Sequence, residues 1–208
     1  MSRIRIKFCG MTRKEDIILA TSLGVDAIGL IFASESSRCV TLQKAKYLLS
    51  DIPPFIDTVA VLVNPKPDRV KQILQEIPVQ LLQFHGNESP EFCEQFNFPY
   101  IKAVAANTSE IITESAQSYR SSSAILLDTP STKIHGGTGR TFDWQMIPEI
   151  LPKPYILAGG LNEANIKRAL QYNPYAVDVC SGVELSPGIK DHDKMKRFVK
   201  LMRVNNDQ

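Results

Sequence analysis

The chain has 208 residues, 43% hydrophobic and 22% charged, an ordinary globular mix long enough for one sizeable core. A net charge of +2 and a pI near 8.3 are too weak to point to nucleic acid. The longest uncharged apolar run, Ala27 to Ala33, is too short to span a bilayer.

No apolar signal-peptide core follows Arg3, Arg5 and Lys7. The four cysteines, Cys9, Cys39, Cys93 and Cys180, show neither a C-x-x-C nor a zinc spacing, so no metal is expected. Reduced thiols in a cytoplasmic protein fit best, with Cys39 and Cys93 read as packing residues.

In chain order, Arg5 to Cys9 alternates as a strand, with Arg5, Lys7 and Cys9 on one face and Ile6 and Phe8 on the other. Thr12 is placed to cap a helix that Gly24 stops. Strand Ala27–Phe32 leads through a polar loop holding Arg38 to a helix from about Leu42 to Leu49. Strand Thr58–Val63 precedes a helix opening at Pro67, a good first-turn position for proline. Strand Val79–Phe84 runs into His85 and Gly86 and a helix from Pro90 to Phe96. Strand Tyr100–Ala105 precedes a helix near Ser109–Tyr119.

Ala124 to Asp128 is a short apolar strand ending on a carboxylate, and Pro130 cannot prolong it. Gly136, Gly137 and Gly139 then surround Thr138 before a helix near Trp144–Leu151. An acid at a strand end and a glycine-rich loop before a helix can combine proton chemistry with an anion seat. A strand, a turn and a surface loop account for the same stretch. Strand Pro154–Ala158 meets Gly159 and Gly160, then a helix from Glu163 to Gln171. Strand Ala176–Cys180 meets Ser181 and Gly182, and a basic helix from about Asp191 to Arg203 closes the chain.

Eight strand–helix units in strict alternation imply a parallel sheet, and their number predicts a (β/α)8 barrel forming one domain over residues 1–208. A doubly wound sheet is the alternative, but the turn after the first strand reads C-G-M-T-R, not G-x-G-x-x-G. Barrel enzymes work at the C-terminal ends of their strands, with phosphate commonly held after strands seven and eight. Those ends carry Cys9, Arg38 nearby, Asn64, His85, Asp128, Gly159–Gly160 and Ser181–Gly182. Three successive glycine-bearing loops point to a phosphorylated ligand.

Each candidate also has a plain structural explanation. Cys9 can fill the barrel mouth as a small hydrophobe, although Lys7 on the same face favours its thiolate. Asp128 can cap its own loop, Arg38 can be solvated, and His85 can be a turn residue. Asp178, between Val177 and Val179, needs a partner in either case.

Taken together, K-F-C-G-M-T-R, Q-F-H-G-N-E, L-L-D-T, G-G-T-G-R-T-F-D-W, L-A-G-G-L-N, V-D-V-C-S-G-V-E and S-P-G-I-K-D occur in one order. The set resembles phosphoribosylanthranilate isomerase, a cofactor-free barrel enzyme of tryptophan biosynthesis, from about Ile4 to Phe198. The resemblance implies Cys9 as general base, Asp128 as general acid and Arg38 as ligand of the anthranilate carboxylate. It implies a phosphate seat of backbone amides in the loops of Gly136, Gly137 and Gly139, of Gly159 and Gly160, and of Ser181 and Gly182. Lys7, His85 and Asp178 are placed at the substrate.

The chain departs from the family pattern at Phe8, where isoleucine is commoner, and at Cys180, where serine is frequent. Phe8 is expected to face the helices. The implied reaction is an Amadori rearrangement of N-(5-phosphoribosyl)anthranilate. It requires aspartate protonated and cysteine ionised against reference values of about 3.9 and 8.5. Burial is expected to raise Asp128, and Lys7 to lower Cys9.

The implied partner is a small phosphorylated substrate, with no nucleic acid and no membrane, for a monomer or a homodimer. Two rival readings keep the same barrel: a sugar-phosphate enzyme forming a Schiff base on Lys7 or Lys102, and a non-catalytic phosphosugar-binding protein.

Overall fold

The computed structural model describes residues 3–130 and 141–204. Eight parallel strands close into a barrel in sequence order. They are β1 (Arg5–Phe8), β2 (Ala27–Ile31), β3 (Asp57–Leu62), β4 (Leu81–Phe84), β5 (Tyr100–Ala105), β6 (Ala124–Asp128), β7 (Tyr155–Leu157) and β8 (Ala176–Val179). Closure joins β1 to β8 with Lys7 opposite Asp178 and Phe8 opposite Val179. Around them lie α1 (Lys14–Ser22), α2 (Leu42–Leu49), α3 (Pro67–Glu76), α4 (Pro90–Glu94), α5 (Ser109–Ser118), α6 (Ile166–Leu170) and α7 (His192–Val204).

The period-two pattern of the strands sorts side chains into two cores. Outward residues such as Ile6, Phe8, Leu30, Leu62, Phe84, Leu127 and Val177 pack under the helices. Phe8 meets Phe198 of α7 edge-on at 6.1 Å, as its outward parity predicts. Inward residues fill the barrel: Ile101, Ala103, Leu126 and Ile156 on one side, Val59, Val61 and Cys9 on the other.

Short polar caps start several helices. The hydroxyls of Thr41, Ser89 and Thr108 accept from the amides of Lys44, Phe92 and Ile111, and Pro67 and Pro90 occupy first-turn positions. Thr12 does not cap α1 as expected. Arg13 stands at the cap without a side-chain bond, and the Thr12 hydroxyl donates to the Gly188 carbonyl.

The alternation is also less regular than the sequence predicts. Where a helix was expected at Trp144–Leu151 there is one 3-10 turn, Trp144–Met146, started by the Asp143 carboxylate on the Gln145 amide. Pro148 and Pro152 lack the amide donors a longer helix needs. After β8 come a second 3-10 turn, Ser181–Val183, and an antiparallel pair, β9 (Glu184–Ser186) and β10 (Ile189–Lys190), before α7. Among the described residues, no helix is long and apolar enough to cross a membrane.

Candidate active site

The C-terminal ends of the strands surround a cavity of about 330 Å³, a size that suits a small ligand. Its wall includes Cys9, Arg38, His85, Asp128, Asp178 and Cys180, together with Gly159, Gly160 and Ser181. Residues scattered over most of the chain thus converge because each sits at, or just past, a strand end.

On the β1–β8 side, Lys7 Nζ donates to Asp178 Oδ2 at 2.8 Å, and both side chains are buried. Burial works against the Lys7 charge, but Asp178 and then Cys9 outweigh it, and the pKa is raised above the usual lysine value. The other carboxylate oxygen, Oδ1, is buried with no partner among the described residues.

Gly29, inward on β2, makes room for this group. A Cβ there would lie 2.8 Å from the Cys9 sulfur and 3.1 Å from Lys7 Nζ. Its glycine is needed for space, a reason that nothing in the run A-I-G-L-I reveals.

Cys9 and Cys180 follow paired strands, and the Cys9 amide donates to the Val179 carbonyl at 2.9 Å. The Cys180 side chain packs against the cluster that holds Cys9. Lys7 was expected to lower the Cys9 pKa. It pulls that way, but the neighbouring Cys180 and then burial prevail, and the Cys9 thiol is pushed well above its usual range. Cys180 moves down to about 7, first through its neighbour Cys9, against burial, and then through Lys190 and Arg38. The two thiols thus shift in opposite directions, Cys9 up and Cys180 down. Of the other thiols, Cys93 is buried as predicted, whereas Cys39 is exposed and is not a packing residue.

Arg38 reaches the cavity already engaged. Its Nε and Nη2 meet the Glu184 carboxylate at 2.9 and 2.6 Å, a two-pronged pairing that raises the guanidinium pKa although burial opposes it. Lys190 Nζ donates to the same carboxylate at 3.0 Å and to the carbonyls of Cys9 and Cys180 at 2.6 and 3.1 Å. Glu184 and Lys190 were missed as site residues. The motif S-G-V-E displayed the glutamate, but no local pattern assigns its partner.

Opposite, Asp128 ends β6. Its Oδ1 accepts from the Thr129 amide at 2.7 Å, and its Oδ2 lies 3.0 Å from His85 Nε2. His85 Nδ1 lies 2.9 Å from Gln83 Nε2. Gln83, also missed, is fully buried, and its Oε1 has no partner among the described residues, an omission that costs about 1–3 kcal/mol.

The glycine loops serve in two ways. Gly159 and Gly160 both have positive φ (76° and 65°), and a Cβ on Gly159 would stand 2.6 Å from the Thr129 amide. A Cβ on Gly182 would collide with the Leu161 carbonyl oxygen, so this glycine lets the loops after β7 and β8 pack together and does not line the cavity. Gly136, Gly137 and Gly139 lie outside the described residues.

Lys102 takes no part in the cavity. It lies on the outer face of β5, donating to the Gly86 carbonyl at 2.6 Å and to Glu88 at 3.1 Å.

The sequence pattern of N-(5′-phosphoribosyl)anthranilate (PRA) isomerase matches residues 6–201. The chain belongs to that family. A phosphoribosylanthranilate isomerase of Legionella pneumophila (strain Corby) is 64% identical over 202 residues, covering 97% of this chain and 98% of the relative. The crystal structure of the Thermus thermophilus isomerase superposes with a TM-score of 0.89 at 32% identity, covering 97% of this chain and 100% of that one. A further isomerase structure is in complex with reduced 1-(o-carboxyphenylamino)-1-deoxyribulose 5-phosphate. It superposes with a TM-score of 0.82 at 32% identity, covering 97% of this chain and 99% of that one. The match to phosphoribosylanthranilate isomerases thus runs through every strand of the barrel.

Proposed function

We propose that this chain, folded as one barrel domain, isomerises N-(5′-phosphoribosyl)anthranilate to 1-(2-carboxyphenylamino)-1-deoxyribulose 5-phosphate in tryptophan biosynthesis. The observation that carries the site assignment is the placing of a carboxyl, Asp128, and a thiol, Cys9, on the wall of one cavity in a chain of this family. The relative that holds a reduced form of this product supports the substrate class.

In this reading the Asp128 carboxyl gives its proton to the furanose ring oxygen. The C1′–O bond breaks and the nitrogen lone pair forms a Schiff base. Cys9, as thiolate, takes the C2′ proton, and the enolamine settles as the ketone. Cys9 reaches its thiolate by handing its proton to Cys180, and Lys7 then faces the new charge. One shared negative charge serves the base at neutral pH without a free buried thiolate.

Arg38 binds the anthranilate carboxylate through Nη1, the guanidinium nitrogen not engaged with Glu184. The orphaned Oδ1 of Asp178 suits a ribose hydroxyl, which would supply the donor it lacks. Backbone amides of the loops holding Gly136, Gly137 and Gly139, Gly159–Gly160 and Ser181 hold the phosphate. Held at both ends, the ribose lies between acid and base. The setting is cytoplasmic, the partner a small molecule and neither nucleic acid nor membrane, and the chain acts as a monomer or homodimer.

Of the rivals, a Schiff-base lysine is disfavoured by the commitment of Lys7 to Asp178 and by the outward position of Lys102. A binding protein without chemistry needs neither Cys9 nor Asp128 at its cavity. The test follows loss of substrate fluorescence, with phosphoribosylanthranilate generated in situ. Decay that collapses in Cys9→Ala supports the isomerase and its base. Decay that persists reassigns the base, and no decay with folded wild type sinks the reading.

A further inference from the structure

The inward face of β4 carries a carboxamide where the neighbouring inward positions of β3 and β5 carry Val61 and Ile101. Gln83 is fully buried, and its Nε2 stands 2.9 Å from Nδ1 of His85. His85 extends the contact, with Nε2 3.0 Å from Oδ2 of Asp128. The other end of the amide, Oε1, is buried and has no partner among the described residues. Buried polar atoms are nearly always paired, so one left over beside an acid–base site calls for a reason.

A neutral imidazole has one donor nitrogen and one acceptor nitrogen. The direction of hydrogen bonding along Gln83, His85 and Asp128 is therefore all one way or all the other. With the amide nitrogen donating to Nδ1, His85 carries its proton on Nε2 and donates to an Asp128 carboxylate. With the amide turned over, Oε1 accepts from Nδ1–H, and the bare Nε2 accepts the proton of an Asp128 carboxyl. Both arrangements keep two bonds. They differ by half a turn of one amide and by one proton at Asp128.

We propose that Gln83 is a positioning residue whose reversible amide lets Asp128 alternate between acid and carboxylate while His85 stays neutral. The ring changes tautomer, not charge. When Asp128 has passed its proton to the ring oxygen, one proton leaves Nδ1 and one arrives at Nε2 through water in the cavity that His85 lines. An imidazolium beside Asp128 would hold it as carboxylate and spoil the acid. The proposal rests on the reading of Asp128 as general acid and adds what sustains that role.

The test is 15N NMR of the imidazoles in the full-length protein, which has three histidines. At neutral pH without substrate, the wild type should show His85 neutral with its proton on Nε2, the arrangement from which Asp128 gains its proton as substrate binds. Asp128→Asn, whose amide nitrogen donates as a protonated carboxyl does, should show the proton on Nδ1. Gln83→Glu, which can accept but not donate, should keep Nδ1 protonated in either background and lower kcat about ten-fold or more with KM little changed. If a carboxylate at this buried position prevents folding, Gln83→Met removes donor and acceptor at similar volume and should leave His85 as a mixture of tautomers.

An imidazolium in the wild type, one tautomer in both wild type and Asp128→Asn, or a tautomer that ignores position 83 overturns the proposal. Near-normal turnover by Asp128→Asn sinks the acid assignment on which the proposal stands, and it shows in kinetics, apart from the NMR result.

Discussion

Lys7 and Asp178 face each other where the barrel closes, Nζ to Oδ2 at 2.8 Å, 171 residues apart in the chain. Lys7 is thereby committed to a carboxylate, and its charge stands below the paired thiols of Cys9 and Cys180. Removing one member of a buried pair leaves the other unpaired in a dry site. Asp178→Ala should therefore lower the unfolding free energy by about 3–5 kcal/mol in urea denaturation. Lys7→Met with Asp178→Leu should recover most of that loss and remain inactive. A single variant as stable as wild type would show that the pair holds little of the fold.

The two thiols should titrate in separate steps. Cys180, lowered to about 7, should ionise first, and Cys9, raised well above the ordinary thiol range, should follow at higher pH. Thiolate absorbance should rise by one equivalent through about pH 7 and be lost again as pH falls through that value. Activity that needs the shared charge should fall on the acid side of the same point. In Cys180→Ser the first step should vanish, and a step that remains near neutrality would place the charge on Cys9 instead.

Gly29 is tested by its missing methyl. A Cβ 2.8 Å from the Cys9 sulfur requires the base to move. Gly29→Ala should keep the circular dichroism of the wild type and lose about ten-fold or more in kcat, since small displacements of a reacting group are costly. Wild-type kcat in Gly29→Ala would mean that the Cys9 position is not critical.

Arg38 and Glu184 should act on binding. Arg38→Met is expected mainly to raise KM, because it removes the partner of the substrate carboxylate. Glu184→Gln keeps the shape but loosens the two-pronged grip on Arg38, so KM should rise by a smaller factor with kcat little changed. Steady-state kinetics of both variants check this, and a fall in kcat alone would place Arg38 in the chemistry.

Asp128→Asn removes the acid without removing bulk and should lower kcat by about 10²–10⁴ with KM little changed. Near-wild-type turnover in the same assay would reassign the acid.

Much of this protein was determined by its sequence alone. Apolar runs of strand length, each ending on glycine or a polar residue, imposed the alternation that becomes the barrel. The period of two sent Phe8 outward to Phe198 and Cys9 inward to the mouth. Cys9, His85, Asp128, Gly159, Gly160 and Ser181 were legible as strand-end residues, because the end of a strand is a local feature.

Tertiary structure decided what those residues touch. Barrel closure set Cys9 beside Cys180, so the sign of the Cys9 shift depended on a contact made across the whole chain. It also brought Glu184 against Arg38 and Asp128 against His85, and it required Gly29 to be bare. Those outcomes turn on distances of a few ångströms between strands far apart in sequence, and on burial that penalises each charge it encloses while strengthening its pairing with a partner. No local pattern encodes them.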